Sequence, residues 1–143
     1  MTILVGYRPT HEGTAALDHA IDETARRSTE LLILHSSEAV DTSTRQSLEQ
    51  QVDALASRLE GTIRGARIQL IDPDTDPADA ILDAAAETEA ELIVVGIRRR
   101  SPIGKLVLGS TAQRVLLEAD CPVLAVKTRT STPAANRPHL TSV

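Results

Sequence analysis

The stretch GIRRRSPIGKLVLGST at residues 96–111 puts glycine, arginine, serine and threonine in an order suited to holding an anion. Gly109-Ser110-Thr111 precedes a run with helical spacing from about Ala112, and the first amides of a helix have no partner within it. Such amides attract negative charge, and the hydroxyls of Ser110 and Thr111 add donors. At the other end Gly96 follows an apolar run, where the missing Cβ permits a sharp turn or the close approach of a ligand. Between Glu91 and Glu118 there is no acidic residue, while Arg98, Arg99, Arg100, Lys105 and Arg114 supply five of the fifteen basic residues. The whole chain carries a net charge of −5, so this positive field is local to one segment. A phosphate fits it. Glycines that end strands for steric reasons, with arginines in solvent or paired to distant carboxylates, give the same pattern.

Other chemistry is weakly represented. His11, His19, His35 and His139 have no metal-ligand spacing, and each reads as a surface or loop residue. No G-x-S-x-G elbow occurs, and Cys121 before Pro122 reads as a small core residue. We therefore assign no catalytic residue and no metal ligand.

These loops need elements to position them. TILVGY (2–7), ELLILHS (30–36), ARIQLI (66–71), ELIVVG (91–96) and CPVLAVK (121–127) are short apolar runs that read as five strands. Between them apolar residues recur three or four apart: Leu17, Ala20, Ile21 and Thr24; Leu48, Val52, Leu55 and Leu59; Ala78, Ile81, Leu82 and Ala85; Ala112, Val115, Leu116 and Ala119. Each set predicts one helix with one buried stripe. DPAD at 76–79 marks a helix start, with Asp76 as cap and Pro77 in the first turn. Continuous apolar strands joined by helices give a doubly wound α/β fold, Rossmann-like, with a five-stranded parallel sheet between helix layers. In strand order 3-2-1-4-5, the loop after the first strand, YRPTHEG (7–13), and the loop after the fourth line one crevice.

With 143 residues the chain is sized for one domain, assigned to 1–127, and 128–143 reads as a disordered tail. The absence of Phe and Trp, with Tyr7 as the one aromatic, implies an aliphatic core and argues against nucleic acid as a partner. A single cysteine and the lack of a leader or membrane-length apolar run point to a cytoplasmic protein with no membrane contact. The acidic run from Asp72 to Glu91 reads as the solvated side of the third helix and its loops.

The stretch ELIVVGIRRRSPIGKLVLGSTAQRVLLEADCPVLAVK (91–127) closely resembles the C-terminal signature of the universal stress protein family, and ILVGYRPTHEGTAALDHAI (3–21) resembles its N-terminal strand and helix. The resemblance implies the HUP-type variant of this fold and ATP, or ADP or AMP, bound in the crevice through a G-x2-G-x9-G-[ST] pattern. By position the glycines are Gly96 and Gly109, followed by Ser110 and Thr111; Arg99 replaces the middle glycine and Arg8 replaces a common aspartate. Tyr7, Arg8, Pro9 and Thr10 then face a base or ribose, Thr10 equally serving as a helix cap, and the backbone of Ser36 and Ser37 contacts an adenine edge, as the resemblance implies, or simply ends the second strand. Arg98 joins the site through the basic loop.

Two outcomes of the arginine replacements are open at this point. Arg8 and Arg99 donate to phosphate in place of glycine amides and a metal ion, or they fill the crevice and leave a nucleotide-free interaction module. The first is favoured, as a regulator or sensor in the stress response with at most slow ATP hydrolysis. The last strand lies at a sheet edge, so a homodimer through Val123, Leu124, Ala125 and Val126 is expected, together with a regulatory protein partner of unknown identity.

Overall fold

A computed structural model of the chain describes residues 1–8, 10–36, 65–99 and 106–128, with five isolated helical positions between 46 and 57. The stripe Leu48, Val52, Leu55 and Leu59, Ser37 and the tail beyond Thr128 lie outside the described residues.

β1 (Thr2–Tyr7) is the central strand because its side chains are apolar on both sides. Ile3 and Val5 face one core cluster and Leu4 the other, and all three are fully buried. β2 (Glu30–His35) flanks it in parallel from Thr2↔Glu30 to Tyr7↔His35, and β3 (Gly65–Leu70) continues the sheet outward. On the other side β1 pairs with β4 (Leu92–Arg99), and β6 (Val123–Lys127) closes that edge. The five parallel strands thus run β3-β2-β1-β4-β6, which is the expected 3-2-1-4-5 order with one short strand intervening in the chain.

That additional strand is β5 (Leu106–Val107), antiparallel to the end of β4 through Arg98↔Val107 and Arg99↔Leu106. It alters the reading of the basic segment: the fourth strand does not stop at Gly96 but runs on through Ile97, Arg98 and Arg99. The charged run hid it, since the pairing is made by backbone rather than by an alternating apolar pattern.

Helices cover both faces. α1 (His11–Arg27) buries Ala16, Leu17, Ala20, Ile21 and Thr24 against one face. α2 (Pro77–Thr88) and α3 (Ser110–Glu118) cover the other with Ala78, Ile81, Ala84, Ala112 and Val115. Leu82 and Ala85 are half-buried, and Leu116, expected in the buried stripe, is 38% exposed because it lies at the stripe's margin. Cys121 packs against the α2–α3 cluster, and desolvation raises its thiol pKa, in keeping with a core role. His35 departs from the surface reading. It is buried, its ring lies 5.5 Å from that of Tyr7, and its Nδ1 has no hydrogen-bond partner.

Candidate functional site

The site begins where β1 and its neighbours part. Pairing of β1 with β2 continues to Tyr7, whereas pairing with β4 covers Ile3–Val5 against Leu92–Val94. Beyond Val5 the first turn of α1 comes down onto β4. Gly96 permits this: a Cβ there would collide with the backbone carbonyl of Glu12. Gly13 has a similar task, since a Cβ would overlap the backbone of Arg8. Gly96 is therefore a mid-strand contact for α1 rather than the end of a strand, and the close approach it allows is that of the protein's own backbone.

The opening that results is a crevice of about 810 Å³. Tyr7, Arg8, Thr10, Ser36, Gly96, Arg98, Gly109, Ser110 and Thr111 all line it, so the structure brings together nine of the eleven residues singled out from the sequence. Pro9 lies outside the described residues, and of Arg99 only the backbone is described. Thr10 also caps α1, its Oγ1 accepting from the Gly13 amide at 3.1 Å.

The three described helices differ at their starts. α1 has Thr10, and α2 has Asp76, whose Oδ1 accepts from the Ala78 amide at 2.9 Å. α3 has Gly109, extended at φ −67° and ψ 161°, with no side chain to accept from the first turn. The Gln113 amide makes the first helical bond, to the Gly109 carbonyl at 3.0 Å, which leaves the amides of Ser110, Thr111 and Ala112 ahead of the helical ladder. A Cβ on Gly109 would meet nothing within 4 Å.

The rest of the lining was not legible in the sequence. Leu34, Ile71, Pro77, Ile81 and Val95 add apolar lining, and Glu12 adds a carboxylate. Gly6 belongs to the floor, where a Cβ would stand 2.9 Å from Ile81 Cδ1. Chain spacing hides these residues because they come from five separate elements and loops; alternation along β2 and β4 is the signal that assigns Leu34 and Val95 to one face.

The positive field is smaller than the count of basic residues suggests. Arg114 turns away to α2, with Nη2 2.8 Å from Asp79 Oδ1, Nη1 3.3 Å from Asp76 Oδ2 and Nε 2.9 Å from Glu118 Oε2. Hydrogen bonds to Glu118 and then Asp79 raise its pKa, so it is a fixed cation already matched by carboxylates. The acidic run is accordingly solvated only in part, for Asp76 and Asp79 hold Arg114 and Glu91 stands 3.5 Å from Arg27. Arg98 Nε lies 3.8 Å from Glu12 Oε1, and Arg8 is exposed at the crevice edge. Arg100 and Lys105 lie outside the described residues. Among the described residues no group of three or more metal-ligating side chains occurs, and no helix is long and apolar enough to cross a membrane.

Comparison with known proteins matches this frame. The model of the universal stress protein family covers residues 1–127. A universal stress protein of Mycolicibacterium smegmatis is 40% identical over 129 residues, covering 87% of this chain and 96% of the relative. The structure of a universal stress protein from Archaeoglobus fulgidus superposes with a TM-score of 0.68 at 29% identity, covering 89% of this chain and 98% of its own. A universal stress protein structure from the same organism in complex with dAMP gives 0.63 at 23% identity over 89% and 98% of the two chains, a likeness of fold. With the family model spanning 127 of 143 residues and a relative 40% identical along nearly its whole length, the chain belongs to the universal stress protein family.

Proposed function

We propose that this chain binds an adenine nucleotide, ATP or its di- or monophosphate, in the crevice between β1 and β4 and acts as a cytoplasmic regulator rather than as a catalyst. The observation that carries the reading is the helix start at Gly109–Thr111: uncapped amides open onto a crevice of about 810 Å³, a volume suited to a nucleotide. The apolar lining of the crevice supports it too. Leu34, Ile71, Pro77, Ile81 and Val95 suit a purine face, and the reading assigns Ser36 to the base edge and Tyr7 and Thr10 to the ribose. The phosphates then meet the amides and hydroxyls of Ser110 and Thr111, with Arg8 and Arg98 as cationic donors.

Arg8, like Arg99, reads either as a phosphate donor or as a plug. Its exposure favours a guanidinium that reaches toward a ligand over one packed into the cavity. Arg99 is assigned to the same phosphate end by its position in the family pattern. The dAMP complex of the Archaeoglobus protein concerns that protein, and the nucleotide reading for this chain rests on its own crevice.

A homodimer through β6 belongs to the same reading. Val123, Leu124 and Ala125 are half-exposed on a strand with no outer neighbour among the described residues, and a two-fold contact there pairs the free edge. In the regulatory role, nucleotide state is passed to a partner protein.

The test is direct. Acid extraction of the purified protein with mass spectrometry of the supernatant, followed by calorimetric titration with ATP, is expected to give a bound adenine nucleotide or saturable binding below millimolar. A nucleotide-free protein that shows no saturation in that range sinks the reading.

A further inference from the structure

The crevice contains one feature that nucleotide binding alone does not call for. Glu12 is in the first turn of α1, and its backbone rests on Gly96 of β4 because that residue has no side chain. Arg98 follows Gly96 by two positions and so shares its face of the strand. This packing brings the Glu12 carboxylate toward the guanidinium, Oε1 to Nε 3.8 Å, with the Glu12 side chain 19% exposed and that of Arg98 54% exposed. Both residues line the crevice, and Arg114, the described cation of α3, is already matched by Asp76, Asp79 and Glu118.

We propose that Glu12 is a specificity-determining residue, a resident counter-ion that an incoming phosphate chain must displace from Arg98. The inference rests on the nucleotide reading above and deepens it. A carboxylate lining the same crevice as Ser110 and Thr111, and paired with Arg98, offsets the attraction of Arg98 for any anion, and its repulsion grows with each phosphate the ligand carries. The apolar lining gives no such discrimination. Glu12 therefore narrows the affinity difference between tri- and monophosphates, and adenosine is indifferent to it. The fixed α1–β4 contact matters here, since a carboxylate on a mobile loop would swing clear at little cost.

Calorimetric titration of ATP, AMP and adenosine into the wild type, Glu12→Gln, Arg98→Ala and the double variant, each with EDTA and with magnesium, tests the proposal. Glu12→Gln keeps the size of the side chain, so the fold should be retained, which a circular dichroism melt verifies. The expected result is ATP binding about three- to tenfold tighter in Glu12→Gln with EDTA, a smaller gain for AMP, and adenosine within about twofold. The gain should shrink at higher salt and be smaller in the Arg98→Ala background, where the direct repulsion is left but the competition for the guanidinium is gone. Unchanged ATP affinity in Glu12→Gln overturns the proposal and, if the wild type saturates, leaves the nucleotide reading intact. Weaker binding confined to magnesium also overturns it, since Glu12 would then serve the cation. Binding by Glu12→Gln but not by the wild type overturns both, since the native chain then holds no nucleotide whose phosphates Glu12 could rank. No binding by either variant removes both.

Discussion

Gly109→Asp separates helix stability from ligand binding, because the account predicts effects of opposite sign. Gly109 sits at φ −67° and ψ 161°, extended backbone open to any residue, and a Cβ there meets nothing within 4 Å, so the substitution introduces no strain. An aspartate at this position can accept from the free amides of the first turn as Asp76 does on α2. Replacing glycine as the cap contributes a few tenths of a kcal/mol, and a carboxylate at the positive end of a helix adds roughly 0.3–1 kcal/mol. A net gain of about 0.5–1 kcal/mol raises the Tm of a domain this size by about 2–4 °C. The same carboxylate occupies the amides assigned to phosphate and repels the ligand. Losing charged hydrogen bonds costs about 1.5–3 kcal/mol, or roughly ten- to 150-fold in Kd for ATP. Thermal melts of the apo protein and calorimetric titration read the two effects separately. A variant that melts higher and binds ATP as well as the wild type would refute the assignment of phosphate to this helix start.

Three further substitutions test the packing and the electrostatics. Gly96→Ala drives a methyl group into the Glu12 backbone, which has no flexible side chain to yield, and should cost about 1–3 kcal/mol in urea unfolding; a neutral result would mean that α1 does not rest on β4 there. Arg114→Gln should lower stability only slightly, in a salt-dependent way, and leave ATP affinity within about twofold, because Arg114 faces α2 carboxylates rather than ligand. A large loss of affinity would return it to the anion site. His35 has a pKa lowered from 6.5, chiefly by desolvation on burial. Below pH 6.5 the unfolded chain takes up a proton that the native state resists, so this contribution to stability is complete above 6.5 and is lost as the pH falls toward the lowered native value. Relative to His35→Leu, wild-type stability should fall in that window with a slope of up to about 1.4 kcal/mol per pH unit, and parallel pH profiles would contradict the buried neutral imidazole.

The strands and most helix stripes were legible because burial on both faces leaves no polar residue in runs such as ILV at 3–5 or LIVV at 92–95. The start of α3 was legible in the same way at Gly109-Ser110-Thr111, because the signal of a helix start is local. Interactions between distant segments were not. Gly96 looked like a turn, since nothing in its neighbours tells that Glu12 packs on it from α1. Arg98 looked like loop, since backbone pairing with Leu106–Val107 leaves no mark on side-chain pattern. Arg114 looked available to a ligand, since its partners Asp76 and Asp79 stand 38 and 35 positions away in the chain. Glu12 lies in the 7–13 segment read as lining the crevice but carried no role there, because an acidic residue in a first helical turn has a sufficient local explanation in the helix dipole.

The central claim is that phosphate meets the opening amides of α3, and a titration of isotopically labelled protein with ATP, followed by backbone amide NMR, reads those amides one by one. The account predicts saturable shifts largest at Ser110, Thr111 and Ala112, with smaller ones along Tyr7–Thr10 and at Ser36. Saturable binding that moves other surfaces while these three amides stay in place would contradict it.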